Sequence, residues 1–349
     1  TAENFGGFTN DDDIVADTLL EERRAEASLR LRYALERHHL TAELLLTDVD
    51  VIESKQAINL DPVTGLPSTG LNDFPPPVDD SAERRSSSLV LQDEFYINAD
   101  TTLTTGLRFD DYEDIGSNLS PRISLVWRKS ERQIFKAQLA RAFRPPSLIE
   151  EDGSIESSID PETNDTIEFG HIYQRTDLVL RNTLYFTQLD DLIMFQDEAP
   201  FGYKNGDSFS LRGYELEVEK AITRQWNLVG SLSLQDYVGD PLPAAAPWMF
   251  KLGVDYELRP LTTMHLQINS IAEREREDGD PRSGFEQTNQ LDASLRSRNF
   301  LDVGGLDFRV GLSNLLDEEL KHPAPVASYA DDYPYSEGAL FWVQLIYQP

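Results

Sequence analysis

The sequence predicts an all-β fold, an antiparallel transmembrane β-barrel, and three observations carry that prediction. Apolar residues recur at every second position through one segment after another. The connections between those segments alternate between short and long. No stretch approaches the roughly 18 consecutive apolar residues that a membrane helix requires, whereas barrel strands alternate lipid-facing and lumen-facing residues and keep average hydropathy low.

The alternation is plainest at 306–312, where Leu306, Phe308, Val310 and Leu312 fall on one face and Asp307, Arg309 and Gly311 on the other. Phe250, Leu252, Val254, Tyr256 and Leu258 repeat the pattern against Lys251, Gly253, Asp255 and Glu257. So do Leu103, Thr105, Leu107 and Phe109, then Ile123, Leu125 and Trp127, and later Met264, Leu266 and Ile268. Marking every such segment gives about fifteen strands, at 25–35, 39–55, 84–97, 101–113, 119–128, 132–143, 161–174, 177–195, 209–222, 226–237, 247–258, 262–274, 288–298, 303–315 and 337–348. Most exceed the five or six residues usual in globular strands and suit the nine to eleven of a tilted membrane strand.

Short turns fall at 36–38, 98–100, 129–131, 175–176, 223–225, 259–261 and 299–302. Longer connections fall between them, at 56–83, 144–160, 196–208, 238–246, 275–287 and 316–336, with a compact one near 114–118. A membrane barrel has this asymmetry, tight turns on the periplasmic side and long loops outside, while a soluble sandwich has no reason to gather its long loops at one end. Tyr33, Tyr112, Trp127, Phe143, Tyr173, Trp226, Tyr237, Trp248 and Tyr256 lie near strand ends, where interfacial girdles place aromatic rings.

Asp and Glu number 62 against 31 Lys and Arg, a formal charge of −31 that repels nucleic acid and argues against it as a partner. Much of the acid lies in long connections, at Asp11, Asp12 and Asp13, at Glu150, Glu151 and Asp152, and at Glu273, Glu275, Glu277, Asp278 and Asp280. A solvated outer rim explains it, as does a field attracting cationic ligands. The absence of Cys removes disulfides, thiolate metal sites and Cys nucleophiles together.

No enzyme signature stands out. The pairs Asp110 with Asp111 and Asp190 with Asp191, and the row Glu215, Glu217 and Glu219, suit a wet barrel wall, because no acid–base partner or substrate cleft accompanies them. His38 and His39 share a short turn, His171 and His265 stand alone, and no metal or cofactor is implied. Arg30, Arg32, Arg108, Arg122, Arg128, Lys136, Arg181, Arg296 and Arg309 fall on lumen positions. Arg141 and Arg144 flank the external mouth and are the candidate substrate-binding residues, since guanidinium groups suit carboxylate or catecholate oxygens.

The segment LSPRISLVWRKSERQIFKAQLARAFRPPSL at 119–148 resembles the barrel of TonB-dependent receptors, with a Pro-Arg strand, a tight turn and a strand ending at an Arg-Pro-rich external loop. LQDEFYINADTTLTTGLRFDDY, PETNDTIEFGHIY, LDDLIMF, LRGYELEVE and GLSNLLDEE follow the family order around it. Phe341, Val343, Leu345 and Tyr347 resemble the closing-strand signal of outer-membrane assembly, although Pro349 stands where that signal ends in Phe. The resemblance implies a barrel of twenty-two strands with an N-terminal plug. The chain would then hold the C-terminal part of the barrel, residues 25–349, after an external loop segment at 1–24, and would lack the plug and about seven strands. It further implies a multi-pass protein of the cell outer membrane that takes up a scarce small ligand, most often a ferric siderophore, with TonB reached through the missing plug. A passive porin-like channel is the alternative. Any signal peptide would have been removed or lie upstream of Thr1.

Overall fold

The computed structural model describes residues 2–5, 14–61, 67–196, 200, 202–238, 245–276, 280, 282–322, 332–336 and 338–348. Asp11, Asp12, Asp13, Glu277, Asp278 and Pro349, singled out in the sequence, lie outside the described residues. Fifteen long strands follow one another: β1 Ile14–Ala34, β2 His38–Leu60, β3 Glu83–Asn98, β4 Thr101–Tyr112, β5 Gly116–Ser130, β6 Gln133–Arg144, β7 Glu162–Arg175 and β8 Leu178–Asp190, then β9 Phe209–Ala221, β10 Trp226–Val238, β11 Trp248–Arg259, β12 Thr262–Ile271, β13 Thr288–Ser297, β14 Leu306–Ser313 and β15 Leu340–Tyr347. Each matches one of the fifteen segments expected from alternation.

Every strand pairs antiparallel with the next, so the sheet is an up-and-down meander from β1 to β15. Two shorter strands, Ala2–Phe5 against β1 and Pro67–Phe74 against β2, extend it. The first and last long strands therefore run in the same direction, and among the described residues no ladder joins them. Fifteen antiparallel strands leave two free edges that cannot pair antiparallel with each other.

The register turns alternation into two unlike faces. Ala137, Phe169, Leu184, Tyr214, Leu234 and Trp248 form one row across six neighbouring strands. One residue along, Lys136, Gly170, Thr183, Glu215, Ser233 and Met249 form the matching row on the other face. The apolar row is open, with Leu184 54% exposed and Phe169 46%. In water so large an apolar surface would aggregate; against lipid it is the required one. Few apolar side chains are buried, Val78 and Ile159 among them, and no second large sheet packs on this one among the described residues. A two-sheet sandwich is thereby excluded. No described helix is long and apolar enough to cross a membrane.

The aromatic girdle holds in part. By register Tyr33, Trp127, Trp226, Trp248 and Tyr256 share the apolar face, whereas Tyr112 and Tyr237 take the opposite parity.

Three segments differ from the sequence expectation. Within 1–24, expected as loop, β1 already begins at Ile14 and pairs with β2 as far as Ala16 opposite Ile58, well beyond the reach of β3 on β2. Opposite Glu21 and Glu22 the register skips Ile52, a one-residue bulge on β2 that exchanges the faces of β2 beyond it. The expected strand 177–195 breaks at Asp191, whose φ of 59° turns the chain out of the sheet. Ile193–Gln196 then pairs with Gly202–Asn205 as a small hairpin. A second small sheet, Leu320–His322 with Tyr333–Ser336, lies in the connection from β14 to β15.

Candidate functional site

The polar face is knitted by ion pairs between adjacent strands. Arg30 on β1 meets Glu43 on β2 at 2.8 Å, Arg181 on β8 meets Glu219 on β9 at 2.6 Å, and Arg296 on β13 meets Asp307 on β14 at 2.6 Å. Arg122 donates to Gln138 at 2.8 Å, and His265 lies 2.8 Å from Asp255. Arg108 closes on Asp110, whose side chain is fully buried and also accepts from Ser88. Arg30 with Glu43 and Asp255 with His265 are direct register partners, Arg181 with Glu219, Arg296 with Asp307 and Arg122 with Gln138 meet on the diagonal, and Arg108 and Asp110 lie two apart on β4, so the face is a polar wall of paired charges. The row Glu215, Glu217 and Glu219 lies on this wall, with Arg181 between Glu217 and Glu219.

At the long-loop end of β6 the chain folds into a one-turn helix, α1, Leu148–Asp152. Ser147 caps it: its Oγ accepts from Glu150 N at 3.2 Å while Glu150 Oε2 accepts from Ser147 N at 2.6 Å. Arg144 then clamps the turn from below. Its Nε and Nη2 donate to Glu162 at 2.6 and 2.8 Å, and Nη1 and Nη2 donate to Glu150 at 2.8 and 3.1 Å. Burial opposes ionisation of Glu150, but the hydrogen bonds from Arg144 and Ser147 outweigh it and hold the carboxyl below its ordinary range.

Arg84, at the start of β3, ties the β4–β5 turn to the same helical turn. Its guanidinium bonds Asp114, the Pro146 carbonyl and Glu151, the last at 2.5 Å. Burial and the neighbouring charge of Asp114 raise the Glu151 carboxyl above its usual range. Asp79 N adds a bond to Asp152 at 3.1 Å.

A second brace joins two loops that are not neighbours in sequence. Arg276 holds Asp332 through Nη1 and Nη2 at 2.9 and 2.5 Å, and Arg282 holds Asp280 through Nε and Nη2 at 2.9 and 2.7 Å. The Asp280 and Asp332 side chains are only 2% and 8% exposed. Phe285 lies beneath two guanidinium groups, 4.1 Å from Arg276 and 4.5 Å from Arg274. Bonding from Arg282 pulls the Asp280 carboxyl down from 3.8 to about 2. A depressed carboxylate contributes its stabilisation above the unfolded-state pKa and loses it as pH falls through the folded one. Amide protection in 274–276 and 282–285, taken relative to the intrinsic exchange rate at each pH, is accordingly expected to hold at pH 5 and to fall between about pH 4 and 2. Protection unchanged across that window would show that the pair does not hold the loop.

Of the two residues expected at the mouth, only Arg144 lies on the polar side. Arg141 shares the face of Leu139 and Ile167 and is engaged by Asp165 at 2.8 Å. Arg144 is on the other parity, with both carboxylate partners in place, so an incoming anion would have to displace Glu150 or Glu162. The structure does not bring Arg141 and Arg144 together. Arg84, Arg276 and Arg282 were not singled out in the sequence, where nothing local marks an arginine whose partners lie 30 to 67 residues away. The Ser147-to-Glu150 spacing, by contrast, is a readable capping signal. His38 points to Asp93 at 2.8 Å, and among the described residues no three His, Asp or Glu side chains gather as metal ligands.

A family model described as TonB dependent receptor-like, beta-barrel matches residues 3–315. The ferric enterobactin receptor of Pseudomonas aeruginosa is 38% identical over 68 residues, 20% of this chain and 9% of that protein. The crystal structure of the siderophore receptor PirA from Acinetobacter baumannii superposes with a TM-score of 0.70 at 17% identity, covering 97% of this chain and 56% of that one. The copper transporter OprC superposes at 0.74 with 16% identity, covering 96% and 57%. The chain thus spans little more than half the length of these solved structures and shares their fold.

Proposed function

The chain belongs to the TonB-dependent receptor-like β-barrel family, and from that premise we propose that it forms the C-terminal two-thirds of the wall of an outer-membrane receptor importing a ferric siderophore. The observation that carries the reading is the pair of unlike faces, one apolar and open and the other polar and cross-linked by ion pairs. Lipid touches the first, and water and a plug touch the second.

The long loops face outward and the short turns face the periplasm. Residues 1–24 belong to the external side, consistent with a β1–β2 hairpin that outruns the sheet. An odd number of further strands is needed for the free edges to close antiparallel, and seven bring the total to the family's twenty-two. The plug, supplied by another part of the polypeptide, couples ligand release to TonB. Ligand binds at the external mouth, where Arg144 and the braced loops surround the entrance. The chain is a wall for transport and carries no catalytic role. A permanently open porin fits less well, because family membership supplies no reason for a lumen without a plug.

Growth under iron limitation tests this function. Cells lacking the full-length receptor are expected to lose growth on a ferric catecholate siderophore as sole iron source, and to regain it on complementation. Identical growth of deleted and complemented cells on catecholate, hydroxamate and citrate carriers would end the iron assignment and leave the barrel intact.

A further inference from the structure

We propose that the lipid-facing side of β11 to β14 holds one anionic glycerophospholipid of the periplasmic leaflet, its acyl chain in an apolar groove and its phosphate on Arg259. The inference rests on the membrane reading above and adds a defined occupant at a defined place.

The groove has a volume of about 680 Å³ and is lined by Tyr256, Leu258, Met264, Leu266, Leu295 and Leu312, among others. Register explains the depression. Ala293 on β13 stands between Leu266 on β12 and Leu312 on β14, and its short side chain lowers the floor where flanking strands carry leucine. Lipid gains little from apolar contact alone, since every tail in the bilayer offers the same. Retention of one lipid over another needs shape plus a charge at headgroup depth.

That charge stands at the short-turn end. Strict alternation would send Arg259 to the polar face with Glu257, which pairs with Thr263 there. A bulge between Glu257 and Arg259 instead sets Arg259 opposite Thr262, on the face of Met264. Its Nε donates to Thr262 Oγ1 at 3.2 Å, and Thr262 and Ser297 share a hydrogen bond at 3.1 Å beneath it. Arg259 is exposed, and no described carboxylate forms an ion pair with it. The same bulge at the ends of β3 and β5 places neutral Asn98 and Ser130. Two other cations on this face at the same end, Arg175 and Lys220, both bond Asp177, and a third, Lys129, lies over the Phe135 ring at 5.9 Å rather than at the end of a groove. Trp226, stacked on Tyr256 at 4.4 Å, supplies the amphipathic rings that sit at headgroup level. An unpaired guanidinium backed by hydroxyls, at the end of an apolar groove, matches a phosphodiester on an acyl chain.

The test is native mass spectrometry of the full-length receptor released from nanodiscs of equal phosphatidylglycerol and phosphatidylethanolamine, with folding checked by the heat-shifted electrophoretic band. Wild type is expected to retain phosphatidylglycerol in preference by roughly fivefold, the scale of one cation near an anionic surface. Arg259→Gln should abolish the preference and Arg259→Lys keep most of it. Ala293→Phe, which fills the groove, should strip retained lipid of both kinds from a still-folded barrel. Folded wild type with no preference, or Arg259→Gln retaining phosphatidylglycerol like wild type, overturns the inference alone. Displacement by free glycerol phosphate at equal concentration also overturns it, since phosphate without a chain would then suffice. A receptor with no heat-shifted band in bilayers overturns the membrane reading, and this inference with it.

Discussion

Leu184→Arg is expected to cost about 2–4 kcal/mol of folding into a bilayer, the price of a cation at the lipid midplane, while Thr183→Arg one residue earlier should change stability by no more than about 0.5 kcal/mol. Leu184 lies mid-strand on β8, 54% exposed, between Phe169 and Tyr214 in the apolar row. Thr183 is on the opposite face with Glu215 directly across, where a new guanidinium finds water and a carboxylate. Urea titration of the heat-shifted band in liposomes reads both variants. Only an apolar exterior distinguishes two adjacent positions on one strand so sharply. Equal destabilisation of the two, or a larger loss from Thr183→Arg, would contradict the assignment of faces.

Arg276→Met is expected to release the loop brace. The substitution leaves Asp332 and Asp280 to share Arg282 in a nearly water-free contact. A deeply buried pair broken in this way costs 3–5 kcal/mol, and an exposed one below 1. The cluster is shielded locally but lies on a loop at the rim, so about 2 kcal/mol is the expected loss. That corresponds to roughly thirtyfold faster amide exchange in 274–276 and 282–285, with little change in β12 and β13. The double variant Arg276→Met with Asp332→Leu should recover part of the protection, because no aspartate at 332 is then left short of its partner. If single and double variants exchange alike, the ion pair is not what orders the loop.

Much of the fold was legible because its chief determinant is local. Alternation at Leu306, Phe308, Val310 and Leu312, and at fourteen other segments, writes one apolar and one polar side into each segment, and each contains one long strand. Reading failed where periodicity is interrupted. The bulge at Ile52 exchanged the faces of β2, and the left-handed Asp191 diverted Ile193–Gln196 into a separate hairpin. The helix after Ser147 was missed although its capping residues were in view, since five residues leave no room for a helical period.

At the rim the balance reverses. Arg141 and Arg144 look alike in sequence, three residues apart at the end of one strand, and that odd spacing sends them to opposite faces. Arg84 and Arg276 take their meaning wholly from partners brought close by folding.

The sequence by itself determined the strands, their alternating short and long connections, and which side of each is apolar, because a period of two is written residue by residue. Only the tertiary structure decided the register shifts, the face on which Arg259 emerges, and which loops are braced together. Those outcomes depend on which distant segments become neighbours, and a bulge of one residue reverses them without leaving a mark in composition.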